Sequence, residues 1–151
     1  MNFVLSFFFA FFLLCQSGFA ADYVSGKHIW IWQNLQIGEA VEDGELIYTF
    51  RIITGRADRY RTREGDFRIY EKDIRHWAIV GGERVAMPYS MFFDARRALH
   101  GWSWEEPFPA DDESPYLASH GCVSTEIPRE LFEWAPMGTP VHVRGERDGY
   151  S

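Results

Sequence analysis

Leu46-Ile47-Tyr48-Thr49-Phe50-Arg51-Ile52-Ile53 is the stretch whose character decides the fold. It is dense in β-branched and aromatic side chains, which suit a pleated, half-buried surface. Runs of the same kind recur at residues 28–32, 66–70, 77–80, 87–93 and 140–143, most of them closed by Gly, Asp or Pro. So many short runs imply a mainly β domain. A helix is expected at residues 128–135, where Pro128 suits a first helical position and Ile127, Leu131, Trp134 and Ala135 fall on one face before Pro136 and Gly138 stop it. Residues 102–116 read as a loop, with three prolines and the acidic run Asp111-Asp112-Glu113.

Two segments divide the chain. Residues 1–20 read as a signal peptide: residues 3–14 are almost wholly apolar, and Gly18 and Ala20 supply the small side chains that cleavage requires. An uncleaved membrane anchor is the alternative, and it is the only membrane contact expected. A lipid-anchored form would use Cys15, but the preceding Leu14 is large where a small residue is wanted. Residues 21–151 then form one domain, long enough to bury a core without disulfides. Its six tryptophans, Trp30, Trp32, Trp77, Trp102, Trp104 and Trp134, are expected mostly in that core. Net charge is 15 − 22 = −7, and the basic residues are interspersed with acids, which argues against nucleic acid as a partner.

With the leader removed, Cys122 in Ser119-His120-Gly121-Cys122-Val123-Ser124 is the only cysteine. A nucleophilic thiol needs a neighbouring base, for which His100 in His100-Gly101 is the natural candidate. Gly121 permits backbone conformations that bring N–H groups towards a developing oxyanion. Residue types alone favour a simpler account, a buried inert cysteine beside a turn glycine. Zinc is disfavoured, because one cysteine with scattered histidines lacks paired ligand spacing.

Order along the chain adds more. His100-Gly101 followed by Ser119-His120-Gly121-Cys122-Val123 resembles the signature of the L,D-transpeptidases, the YkuD-type cysteine enzymes that remodel bacterial peptidoglycan. Ile53-Thr54-Gly55, Thr62-Arg63-Glu64-Gly65-Asp66-Phe67-Arg68-Ile69, Met87-Pro88-Tyr89 and Gly138-Thr139-Pro140-Val141-His142-Val143 resemble other pieces of that family's pattern, in the same order. The resemblance implies a β-sandwich or barrel with one or two short helices. It also implies a Cys122 thioester formed with His100 as base, an oxyanion hole to which the backbone N–H groups of Gly121 and Cys122 contribute, a motif loop shaped by His120 and Ser119, and peptidoglycan stem peptides as partners. Gly101, Trp102, Tyr89 and Ser124 are expected to border the substrate. No metal or organic cofactor is implied, and the location is the periplasm or cell envelope. An L,D-carboxypeptidase or amidase using water, and a wall-binding module without turnover, remain open.

The chain departs from the pattern at Ser124, where many members carry Arg or Asn, and at Arg63, which replaces a proline. Residues 101–118 separate the two motifs by slightly more than usual, and Trp102 stands near the position of a small hydroxyl residue. The 102–116 loop has two readings. It is an acceptor-side lid in which Glu105, Glu106 or Asp111 attracts a cationic amine, or a solvated acidic loop with Trp102 and Trp104 packed on the core; the second is favoured. His28, His76 and His142 read as strand or surface residues.

Overall fold

Among the described residues, nine strands and one helix follow one another as β1 (Lys27–Trp32), β2 (Ile37–Glu42), β3 (Glu45–Ile53), β4 (Gly65–Arg68), β5 (Glu71–Val80), β6 (Glu83–Asp94), β7 (Arg97–Gly101), β8 (Val123–Thr125), α1 (Pro128–Trp134) and β9 (Pro140–Arg144). The structure is a computed structural model describing residues 25–55, 60–95, 97–110 and 119–146. The proposed leader and the acidic run at 111–113 lie outside the described residues. Among those described, no helix is long and apolar enough to cross a membrane.

The strands form one sheet in the order β4-β9-β1-β2-β3-β8-β7-β6-β5. Most neighbours are antiparallel, but β1 runs parallel to β9 and β7 parallel to β8. The sheet curls, since β4 at one margin reaches β6 near the other: Phe67 packs on Phe93 with ring centroids 5.5 Å apart. Just beyond β4, the Tyr70 N–H donates to the Phe92 carbonyl at 2.9 Å. The barrel-like β domain that the resemblance implied is therefore present.

Inside the curl, Ile29, Ile31, Phe50, Ile52, Leu99, Val123, Val141 and Val143 are fully buried, joined by Leu131 from α1. Each such side chain contributes about 1.5–3 kcal/mol by leaving water. The tryptophans correct the expectation above. None of the six is fully buried, and Trp77 and Trp104 are exposed. Trp30 and Trp32 alternate with the buried Ile29 and Ile31 along β1, so they lie on the opposite face, where they stack on each other at 5.5 Å.

The helix lies where the sequence placed it, against β6 and β7. It lacks a side-chain N-cap, and Pro128 fills the first turn, where a missing N–H costs nothing. Its last carbonyls are satisfied from the sheet: Lys72 Nζ donates to the Phe132 and Ala135 carbonyls, and Lys27 Nζ to that of Trp134. Through Gly101 the helix also abuts the strand bearing His100. A Cβ on Gly101 would lie 2.9 Å from Pro128 Cγ and 3.0 Å from Pro88 Cγ.

Candidate active site

Alternation along two short strands sorts the key side chains. In the parallel β7·β8 pair Leu99 faces Val123 and His100 faces Ser124. Leu99 and Val123 enter the main core, so Ala98, His100, Cys122 and Ser124 fall on the opposite side. There Cys122 and Ala78 pack on a second, smaller apolar cluster of Met87, Phe92 and Ala98. Met87 and Phe92 share that side despite their odd spacing, because Tyr89 between them has φ +54° and reverses the alternation.

A cavity of about 990 Å³ opens over this side. His100, Trp102, Ser119, His120, Cys122 and Ser124 line it, with the β5·β6 hairpin as the far wall. Six of the nine expected site residues thus meet in one place. Gly101, Gly121 and Tyr89 are not in the lining. Gly101 accommodates the two prolines, and Tyr89 packs on Trp104 at 5.5 Å and on Phe132 at 5.7 Å.

His100 is buried, and its Nδ1 lies 2.7 Å from the Gly101 carbonyl oxygen. A carbonyl can only accept, so Nδ1 carries the proton and Nε2 presents a lone pair. Burial brings the imidazole down to about 4; the Gly101 contact resists this, and the charge of nearby His76 adds to it. Cys122 is a half-buried thiol. Burial pushes it above its ordinary value, while a hydrogen bond from the Ala98 backbone and the charge of Arg97 pull it back. Near neutral pH both shifts favour the neutral pair, thiol and imidazole, over thiolate and imidazolium.

The cysteine loop is held from behind by the upstream motifs. Gly121 has φ +105°, which favours glycine, and a Cβ there would lie 2.9 Å from Arg97 Nε. Ser119 Oγ accepts from the Gly121 N–H at 3.1 Å and donates to the Cys122 carbonyl. The Ser119 N–H donates to the Thr54 carbonyl at 3.1 Å, and Gln36 brackets Thr54 with its amide. Gly55 is pressed against the loop, since a Cβ would fall 1.8 Å from the Tyr60 carbonyl and 2.9 Å from the Gly121 backbone. Thr62, fully buried, accepts from the Gly55 N–H at 3.0 Å and donates to the Gly121 carbonyl at 3.1 Å. Ser119 thus shapes the loop as expected, and the Gly121 N–H, expected in the oxyanion hole, is given to Ser119 Oγ. His120 is exposed, edge-on to Tyr60 at 4.5 Å.

Two contributors escaped the sequence reading. His76, read as a bland strand residue, lines the cavity and is near enough to affect His100. Arg97 abuts Gly121 and is fixed by the buried Asp94 at 2.8 Å, which Arg63 also meets at 3.0 Å. The strand period could have suggested His76, since Ala78 and Val80 share its side; it could not suggest Arg97, which alternation sets on the side of Leu99 and away from His100. In the 102–116 loop, Trp102 and Glu106 line the cavity, Glu105 does not, and Asp111 is outside the described residues. No cluster of three or more His, Cys, Asp or Glu suited to a metal occurs among the described residues.

The family model for the L,D-transpeptidase catalytic domain (YkuD) matches residues 26–143. Among solved structures, an L,D-transpeptidase from Stackebrandtia nassauensis is similar at 29% identity and TM-score 0.66, covering 89% of this chain and 63% of that one. One from Xylanimonas cellulosilytica is 28% identical at TM-score 0.59, over 80% and 61% of the two chains. The C442S mutant of the Enterococcus faecium L,D-transpeptidase is 24% identical at TM-score 0.68, over 80% and 50%. This chain thus spans less than two thirds of the length of each. The comparison with curated proteins found no significant match.

Proposed function

Because this chain belongs to the L,D-transpeptidase catalytic-domain family, we propose that it is an exported cysteine acyltransferase that forms or exchanges links between peptidoglycan stem peptides. The observation that carries the proposal is the pairing, in one cavity, of the Cys122 thiol with an imidazole whose Nδ1–H is pinned to the Gly101 carbonyl. That tautomer leaves Nε2 to act as base.

In the first half-reaction Nε2 takes the thiol proton as Sγ attacks the carbonyl carbon of the stem's diamino residue, and the carbonyl π pair moves onto oxygen. Since the thiolate–imidazolium pair is uphill at rest, proton transfer accompanies attack. The tetrahedral intermediate collapses with cleavage of the C–N bond, and the departing D-alanine amine takes the proton from the imidazolium. An acceptor amine then attacks the thioester, gives its proton to Nε2, and Sγ leaves to regain it. A neutral histidine serves both halves, accepting and then donating.

The test is incubation of the protein with purified muropeptides and an amine acceptor, with products read by mass. Crosslinked dimers or amine-exchange products in excess of tripeptide support the proposal. Tripeptide alone, with amine in excess, replaces it by a carboxypeptidase; no covalent adduct on Cys122 under any condition leaves a binding module. Export to the envelope is part of the proposal. Amino-terminal sequencing of the secreted protein, with a start near Ala21, is its check.

A further inference from the structure

The Gly121–Cys122 peptide is trans and planar, so its two polar ends point in opposite directions. One end is the Gly121 carbonyl, which accepts from Thr62 Oγ1 at 3.1 Å. The other is the Cys122 N–H. Thr62 is fully buried and is not part of the cavity lining, whereas Cys122 is. A hydroxyl that holds the carbonyl on the buried side therefore turns the N–H of the nucleophile away from that side.

We infer that Thr62 is a positioning residue that aims the Cys122 N–H at the oxygen of the tetrahedral intermediate. The inference rests on the acyl-transfer reading above. Thr62 can hold this orientation because its own hydroxyl is fixed: Oγ1 accepts from the Gly55 N–H at 3.0 Å, and the Thr62 N–H donates to the Gly55 carbonyl at 3.2 Å. That reciprocal pair leaves the hydroxyl proton one direction, towards Gly121. The burden on the Cys122 N–H is larger than motif reading suggests, because the neighbouring Gly121 N–H is already given to Ser119 Oγ at 3.1 Å. Without the Thr62 hydroxyl, the Gly121 carbonyl loses a buried partner and the peptide plane is freed to rotate.

Two reactions of the same thiol separate aiming from structure. Alkylation by iodoacetamide is displacement at a saturated carbon and develops no oxyanion; acylation by imipenem opens a lactam carbonyl through one. For Thr62→Val the expected result is imipenem acylation slower by roughly ten- to a hundred-fold, somewhat less than the loss of a whole oxyanion donor, with iodoacetamide alkylation within about two-fold of wild type. Thr62→Ser, which keeps the hydroxyl, is expected to restore most of the acylation rate. Equal slowing of both reactions in Thr62→Val would mean that Thr62 merely supports the loop, and unchanged acylation would mean that it plays no part; either overturns the inference. If wild type is alkylated by iodoacetamide but never acylated by imipenem, the acyl-transfer reading itself falls, and this inference with it.

Discussion

His142, on β9, has the partners usually sought around a catalytic histidine. Its Nδ1 lies 2.6 Å from Asp66 Oδ1, its Nε2 lies 2.9 Å from His28 Nδ1, and Trp30 stacks on its ring at 4.1 Å. His100, on β7, is oriented by a backbone carbonyl. Yet the cavity lining includes His100 and not His142. The difference arises from strand alternation. His142 stands between Val141 and Val143, both fully buried, and so points to the outer face, whereas Cys122, the one cysteine among the described residues, lines the cavity. His100 shares its side with Cys122, and a carbonyl suffices to set the tautomer. A carboxylate partner raises basicity; it does not place a base beside a nucleophile.

The largest expected effects break or uphold this contrast directly. Cys122→Ala should abolish turnover and covalent labelling while leaving the fold intact, as shown by circular dichroism, because exchanging a half-buried thiol for hydrogen removes little packing. His100→Ala should lower the imipenem acylation rate by roughly a hundred-fold or more, the scale of general-base loss. His142→Ala should leave it within about two-fold. Comparable losses at the two histidines would show that position relative to Cys122 is not what separates them.

The next effect is on pH. His100 falls from an ordinary 6.5 to about 4 in the folded protein. The acid limb of the acylation profile should therefore lie near pH 4, and a limb near 6.5 would refute the neutral, buried base. Stability follows in the same direction. Between those two values the unfolded chain binds the proton that the folded state refuses, so the contribution of His100 is complete above 6.5 and is lost as pH falls towards 4. It amounts to about 3 kcal/mol at most. His142, also lowered by burial, acts with the same sign. Urea midpoints measured from pH 7 to 4 should fall, and should fall less steeply in His100→Asn. An equal slope in that variant would mean that His100 is not the source.

Much of this arrangement was legible in the sequence, for identifiable reasons. The runs that became β1, β3 and β9 declare themselves by composition, and α1 by its proline start and its apolar face. Strand β2, Ile-Gly-Glu-Ala-Val-Glu, does not, because Gly38 is there for space: a Cβ would fall 2.1 Å from the Phe50 ring. Strands β7 and β8 are too short for alternation to show, and they exist through pairing with each other and with their neighbours. Cys122 and His100 were readable from motif order. The support given by Thr62, Gly55 and Arg97 was not, because it depends on which carbonyl lies opposite which hydroxyl across some sixty residues of chain.

A smaller effect concerns Arg97, the cation against the cysteine loop. Its charge favours the thiolate, and Asp94 keeps it in place. Arg97→Gln should raise the thiol pKa and slow iodoacetamide alkylation at pH 8 by roughly two- to five-fold, about 0.4–1 kcal/mol, while Arg97→Lys should recover part of the rate. A pH–alkylation curve that superimposes on wild type would remove Arg97 from the site.

The smallest effect tests the other side of the contrast. Asp66 is held below the ordinary carboxylate range by His142 first and then by Arg144, but it is largely exposed, so water screens both interactions. Asp66→Asn keeps the shape and a hydrogen-bonding oxygen and removes only the charge. Its expected cost is less than about 1 kcal/mol in urea denaturation, with imipenem acylation unchanged at every pH. If the acid limb of acylation moved in this variant, the outer-face pair would be coupled to the cavity through the sheet, and the separation of the two histidines by strand alternation would be incomplete. If only the stability curve moves, and only slightly, His142 and Asp66 are fastening β4 to β9, the pair whose register sets Asp66 opposite His142.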